Sequence, residues 1–297
     1  MRLRLAAPAS LATFPARFPA TLLVATLMLA GCATAPPQGV RIDTRYVSEN
    51  QDSRVLFLVL HYTVGDFESS LKTLTTGGKV SAHYLVRDEP VTTYRLVDES
   101  RRAWHAGVSY WRGSANINPG SIGIEIVNPG RLVGADGTVS YAPYPDKQID
   151  EVIQLCKEIV ARHQIRPERI VGHSDIQPQS KQDPGPMFPW KRLWQAGLIA
   201  WPDEAMVAER RPGYELSLPD VAWFQAKLAR HGFDVPRNGE LDRATRNVIA
   251  AFQMKYRPAR YDGEPDAETA ALLEVATLPE GMRMVRPQPA PAAEKAP

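Results

Sequence analysis

An α/β domain followed by a small three-helix module is the fold this sequence predicts, and three observations predict it. The run RVLFLVLHYT holds six consecutive apolar residues at 55–60, as in a strand covered on both faces. SIGIEIVN at 121–128 alternates, with Ile122, Ile124 and Ile126 on one face and Gly123, Glu125 and Val127 on the other. Near the C-terminus, NGELDRAT at 238–245 matches DGEPDAET at 262–269 at an offset of 24 residues, each a turn leading into an Asp-capped helix.

Composition narrows the class. With 44% hydrophobic and 23% charged residues the chain is an ordinary globular protein, neither disordered nor fibrous, and 297 residues allow about two domains with tails. The formal charge of +2 includes Arg2, Arg4 and Arg17, which lie in a leader without acidic residues. Without them 32 basic face 33 acidic side chains, a net −1, and no basic field for nucleic acid remains.

The leader comes first. Its apolar run at 20–30 is too short to span a bilayer but suits a signal-peptide core behind positive residues. Leu29-Ala30-Gly31-Cys32 resembles the bacterial lipobox, which implies removal of residues 1–31 and lipidation of Cys32. Ala33 rather than Asp in the next position resembles lipoproteins of the outer membrane, anchored on its periplasmic side. Cys156 then has no partner and reads as a small buried hydrophobe.

Residues 32–52 read as a polar tether, and 53–200 as the α/β domain. The strand at 55–60 delivers His61 to a sheet edge, and 67–74 forms a short helix. Segments 81–87 and 91–97, split by Asp88-Glu89-Pro90, read as a hairpin. Residues 102–118 lack helical periodicity and read as surface loops. Ile149, Val152, Ile153, Cys156, Ile159 and Val160 recur at helical spacing, so 150–163 is an amphipathic helix. Ile170 and Val171 form a short strand feeding His173. Residues 201–216 read as a linker, 217–277 as the helical module, and the Pro/Ala-rich 278–297 as a disordered tail. In the module, Asp220 caps a first helix that stops at Gly232.

The chemistry gathers at 169–190, RIVGHSDIQPQSKQDPGPMFPW. Nine residues separate His173 from Asp183, enough for a Gly/Pro-punctuated loop to fold back and aim both at one point. With His61 they make two imidazoles and a carboxylate, a usual set for a catalytic zinc that keeps its fourth position open. Glu125, opposite the isoleucine face, is the candidate proton shuttle. Lys181 is the candidate cation beside a developing oxyanion. The His-x9-Asp spacing is not diagnostic alone. His83 reads as a packing residue, and His163 and His231 as structural surface residues.

Taken together and in order, LVLHYT, VSAHYLV, RAWHAGVSYWRG, NINPGSIGIEIVNPG and VGHSDIQPQSKQDPGPMFPW resemble the zinc-dependent N-acetylmuramoyl-L-alanine amidases of the type 2 family, most of all their outer-membrane lipoprotein members. The resemblance spans about 40–275. It implies a mixed central sheet flanked by helices, one Zn2+ per chain on His61, His173 and Asp183, and catalytic roles for Glu125 and Lys181. It further implies a substrate-contacting loop at Trp104 and His105. The module at 217–277 is similar to three-helix peptidoglycan-binding domains. The expected reaction is hydrolysis of the amide between the lactyl group of N-acetylmuramic acid and L-alanine of the stem peptide. The expected partners are peptidoglycan or muropeptides and, through lipid, the membrane; neither nucleic acid nor an obligate protein partner is expected. Two rivals remain at this level: a zinc peptidase cutting within the stem peptide, and a non-catalytic wall tether.

Overall fold

The apolar run becomes β1 (Phe57–Tyr62), the strand next to the edge of a five-stranded sheet. The structure, a computed structural model, describes residues 39–40 and 42–285. The leader, Cys32 and the tail beyond 285 lie outside them. Residues 42–49, at the end of a first unit (Met1–Glu49), are exposed and carry no helix or strand. Everything below concerns the second unit, Asn50–Pro297.

After β1, the Asp66 carboxylate accepts the Ser69 N–H and starts α1 (Phe67–Thr75). The hairpin β2 (Tyr84–Arg87) and β3 (Thr92–Arg95) follows as expected. Next come the small hairpin β4 (Tyr110–Trp111) and β5 (Ser114–Ala115), the alternating strand β6 (Ser121–Ile126), and a surface hairpin β7 (Arg131–Val133) and β8 (Val139–Tyr141). Helix α2 (Asp146–His163), strand β9 (Ile170–Gly172), the single turn α3 (His173–Ile176) and α4 (Trp190–Gln195) complete the α/β lobe. The sheet order is β3-β2-β6-β1-β9, parallel throughout except for β3. This is the mixed sheet the sequence led us to expect.

Alternation decides which face does what. Leu58, Leu60, Ile122, Ile124 and Ile126 pack on Ile149, Val152, Cys156 and Ile159 of α2. Each such side chain contributes about 1.5–3 kcal/mol by leaving water. Glu125, on the opposite face, pairs in register with His61. A one-residue slip of β6 would drive Glu125 into the α2 core, so packing fixes the register.

The other face holds a correction. Residues 102–118 are not surface loops throughout: Ala103, His105, Ala106, Trp111, Ile117 and Asn118 are buried. Ala106, Trp111 and Ile117 join Phe57, Val59 and Val171 in a cluster that continues into the C-terminal helices.

The supposed linker is also structured. Trp201 and Pro202 form β10, and Asp203 caps α5 (Glu204–Leu216) by accepting from the Ala205 and Met206 N–H groups. Pro212-Gly213 hid this helix, which buries no residue fully and has no apolar stripe. It is held laterally: Tyr214 Oη–H donates to Glu274, and Arg210 and Arg211 pair with Glu274 and Glu268.

Three Asp-capped helices follow as predicted: α6 (Val221–His231), α7 (Arg243–Tyr256) and α8 (Ala267–Thr277). His231 is buried against Trp111, Phe233 and Phe252, not at the surface. The tail is ordered at its start, where β11 (Met282–Arg283) pairs antiparallel with β10. Among the described residues no helix is long and apolar enough to cross a membrane.

Candidate metal centre

Parallel pairing places His61 at the C-terminal end of β1 beside Glu125 of β6, while β9, on the other side of β1, leads directly into His173. Active groups in α/β sheets collect at such strand ends. Ser174 N–H donates to Asp183 O at 2.8 Å, which closes the intervening loop and returns Asp183 to His173.

The result is three donor atoms facing one another. His61 Nδ1 is 3.0 Å from His173 Nδ1 and 2.9 Å from Asp183 Oδ2, and His173 Nδ1 is 3.0 Å from the same oxygen. All three residues are buried, and they form a group suited to holding a metal ion.

The outer hydrogen bonds favour one tautomer for each imidazole. His173 Nε2 lies 3.1 Å from Gln177 Oε1, which only accepts, so Nε2 carries the proton and Nδ1 keeps its lone pair. His61 Nε2 lies 3.1 Å from His105 Nδ1, and His105 Nε2 lies 3.1 Å from Ser121 Oγ, which in turn reaches Asn118 O. If each N–H points outward along that chain, His61 Nδ1 is bare as well. Three lone-pair donors this close repel one another unless a cation stands among them. Donors around a tetrahedral zinc, with bonds of about 2.0–2.2 Å, stand roughly 3.3–3.5 Å apart, so the residues fit that ion.

Burial, reinforced by His173, pushes His61 down to about 4 and keeps it neutral. Burial opposes the charge of Asp183, but His173 and His61 outweigh it and hold the carboxyl well below the usual range. Glu125 goes the other way: burial first, then the Asp183 charge, lift it well above an ordinary carboxyl, with Lys181 countering. Its Oε2 is covered and has no hydrogen-bond partner. An orphaned acceptor beside a metal centre is expected where a proton must be received and passed on.

The cavity over these groups measures about 260 Å³ and is lined by Trp104, Glu125, Lys181, Ser81 and Tyr62 among others. Val64 on its rim holds φ 65°, a strained value for a β-branched residue. A wider cavity of about 940 Å³ between α5 and residues 186–191 contains none of the donors. Donor chemistry, not size, marks the site.

His61, Glu125, His173, Lys181 and Asp183 therefore meet as the sequence suggested. Trp104 is half-exposed at the cavity with the Arg102 guanidinium 3.9 Å over its ring. His105 has a second role beside the one expected of it. It lines the cavity, and both of its ring nitrogens also lie within hydrogen-bond distance of protein atoms, His61 Nε2 and Ser121 Oγ. Gly123 makes room for it: a Cβ there would stand 2.5 Å from the His105 ring. His83 is structural as expected, its Nδ1 accepting the Gly123 N–H. Gln177, Ser121 and Asn118 were not singled out, although NINPG and SIGIE contain two of them. Asn118 Oδ1 accepts both the His105 and Ala106 N–H groups, a contact that only folding reveals.

Residues 51–186 match the N-acetylmuramoyl-L-alanine amidase family, and residues 217–273 match the peptidoglycan binding domain family. The chain is 45% identical over 264 residues to N-acetylmuramoyl-L-alanine amidase AmiD of Escherichia coli (strain K12), covering 85% of this chain and 95% of that protein. The solved complex of AmiD from E. coli with anhydro-N-acetylmuramic acid-L-Ala-D-gamma-Glu-L-Lys is similar at a TM-score of 0.72 and 44% identity, covering 80% of this chain and 95% of that one. The crystal structure of AmpDh3 from Pseudomonas aeruginosa is similar at a TM-score of 0.73 and 40% identity, over 80% and 97% of the respective chains.

Proposed function

The chain belongs to the N-acetylmuramoyl-L-alanine amidase family and hydrolyses the amide between N-acetylmuramic acid and L-alanine in peptidoglycan or muropeptides; from that premise we propose that it does so on one zinc ion held by His61, His173 and Asp183. The observation that carries this reading is the convergence of three potential ligand atoms, His61 Nδ1, His173 Nδ1 and Asp183 Oδ2, within 3.0 Å of one another. Bound zinc supplies Lewis acidity at the scissile carbonyl and acidifies a water molecule.

The chain's own residues do the rest. Glu125, a lining residue of the cavity whose Oε2 has no hydrogen-bond partner, takes the proton of the attacking water and delivers it to the departing amine of L-alanine. Lys181, at the cavity and close enough to oppose the upward shift of Glu125, steadies negative charge on the carbonyl oxygen. Trp104 offers an exposed flat face to the substrate at the rim. Gln177 and His105 hold the two imidazoles in the tautomer that leaves Nδ1 free.

We further propose that residues 1–31 are removed, that Cys32 is lipidated, and that the enzyme works from the periplasmic side of the outer membrane, with its C-terminal lobe engaging peptidoglycan. Replacing Cys32 by Ala should move the protein from the membrane to the soluble fraction.

The decisive experiment digests a defined muropeptide with metal-stripped protein, before and after adding zinc. Mass spectrometry should find a free sugar and a peptide beginning at L-alanine, with zinc only. Full turnover in the presence of a strong chelator would defeat the zinc reading while leaving the amidase assignment intact.

A further inference from the structure

Helix α7 lies in the region matched by the peptidoglycan binding family, yet it runs along the loop that carries two of the three proposed ligands. Near its start, Ala244 O accepts the Gln179 Nε2–H at 3.1 Å, and Asn247 Nδ2–H donates to Gln179 Oε1 at 3.0 Å. Near its end, Lys255 Nζ donates to Asp175 Oδ2 at 2.7 Å. Eleven residues of helix cover about 16 Å, so α7 grips the loop at two well-separated points.

The second grip is chemically unusual. Lys255 is 6% exposed and Asp175 is 1% exposed. The ammonium lies 4.2 Å from the centre of the Trp190 ring, so a carboxylate and an aromatic ring close around it. For holding α7 in place, apolar side chains would serve as well, because a buried ion pair recovers its desolvation cost poorly. What the pair does specifically is fix a position. The same Asp175 oxygen accepts the Gly172 N–H at 2.9 Å, which closes the first turn of α3 around His173. Two residues on, the Ser174 N–H holds the carbonyl of Asp183. One carboxylate thus sets the turn from which both ligands hang.

We infer that Lys255 is a positioning residue for the metal centre, contributed by the C-terminal lobe: through Asp175 it orients His173 and Asp183 and so raises the affinity of the site for zinc. The inference rests on the zinc reading above and adds to it. The C-terminal lobe becomes a structural component of the catalytic centre and not only a wall anchor. Outer groups that orient ligands typically change metal affinity by about 10–100-fold, which is the effect expected here.

The test uses the full chain, stripped of metal and titrated with zinc against a competing chelator, as wild type, Lys255→Met, Asp175→Asn and the double variant. Each single variant should bind zinc roughly 10–100-fold more weakly. The double variant should be no weaker than the worse single one, because both changes break the same link. Thermal unfolding of the metal-free proteins separates orientation from general support. A lowered midpoint with unchanged zinc affinity would overturn the inference, as would losses that multiply in the double variant. If wild type itself binds no zinc, the metal reading fails first, and that outcome is distinguishable from the others.

Discussion

Two regions of this molecule bury polar side chains, and they do so in opposite ways. In the helical lobe Gln225 is fully buried and fully satisfied. Its Nε2 donates to Asn238 Oδ1, Glu240 O and Thr245 Oγ1, and its Oε1 accepts the Gly239 N–H. Gln253 repeats the arrangement with Glu264 O, Thr269 Oγ1 and the Gly263 N–H. Each glutamine clamps a turn whose glycine sits at φ 73° or 77°, a conformation that side chains other than glycine adopt at a cost. At the strand ends of the catalytic lobe, by contrast, His61, His173 and Asp183 turn acceptors toward one another, and Glu125 Oε2 has no partner at all. The difference separates architecture from chemistry. Satisfied polar groups specify a fold, whereas groups left short of partners mark where a cation and a reacting proton belong.

Breaking the unsatisfied side should cost activity before stability. Asp183→Ala removes a donor and should lower amide hydrolysis by at least about 10³-fold, with zinc affinity falling in the same titration. Retained turnover would show that the trio does not hold the working metal. Glu125→Gln should cost roughly 10²–10⁴-fold in kcat while zinc still binds within a few-fold of wild type. If that variant loses metal instead, Glu125 belongs to the ligand set and not to proton transfer.

Breaking the satisfied side should reverse the pattern. Gln225→Leu removes the clamp on the 238–240 turn and takes the amide away from the buried Thr245 Oγ1, so we expect a loss of about 1–3 kcal/mol, read as a lower midpoint in chemical or thermal unfolding. Specific activity of the folded fraction should stay within twofold of wild type.

The smallest effect is a pH dependence in the helical lobe. Burial first, then Lys255 and Arg112, push His231 down to about 3 from an ordinary 6.5. Below 6.5 the unfolded chain takes up a proton that the native chain refuses, so stability falls as pH falls from 6.5 toward 3. At pH 5 the loss is about 2 kcal/mol. His231→Phe, in contact with Phe233 and Phe252, should flatten this slope; an unchanged slope would assign it to other groups.

Much of this was legible in the chain. Six apolar residues in a row required a strand covered on both faces, and β1 is that strand. Alternation put Glu125 opposite three isoleucines, and pairing in register with His61 kept it there. Asp220, Asp242 and Asp266 announced three helices because a cap acts within three residues of itself. The ligand types at His61, His173 and Asp183 were readable from their chemistry, and their roles from family resemblance.

What escaped depends on contacts between distant segments. Helix α5 has no apolar stripe and contains Pro212, so its support by Glu268 and Glu274 is invisible locally. The bond from His105 to His61, and the room Gly123 leaves for the His105 ring, are contacts between segments far apart in sequence. Nothing in the sequence singles out Lys255, because α7 lies against the ligand loop only in the folded chain. Sequence by itself determined the elements, their caps and the kinds of donor available, since those follow from neighbours a few residues away. Tertiary structure alone brought His61 within 2.9 Å of an oxygen 122 residues later, because only the order β6-β1-β9 sets those strand ends side by side.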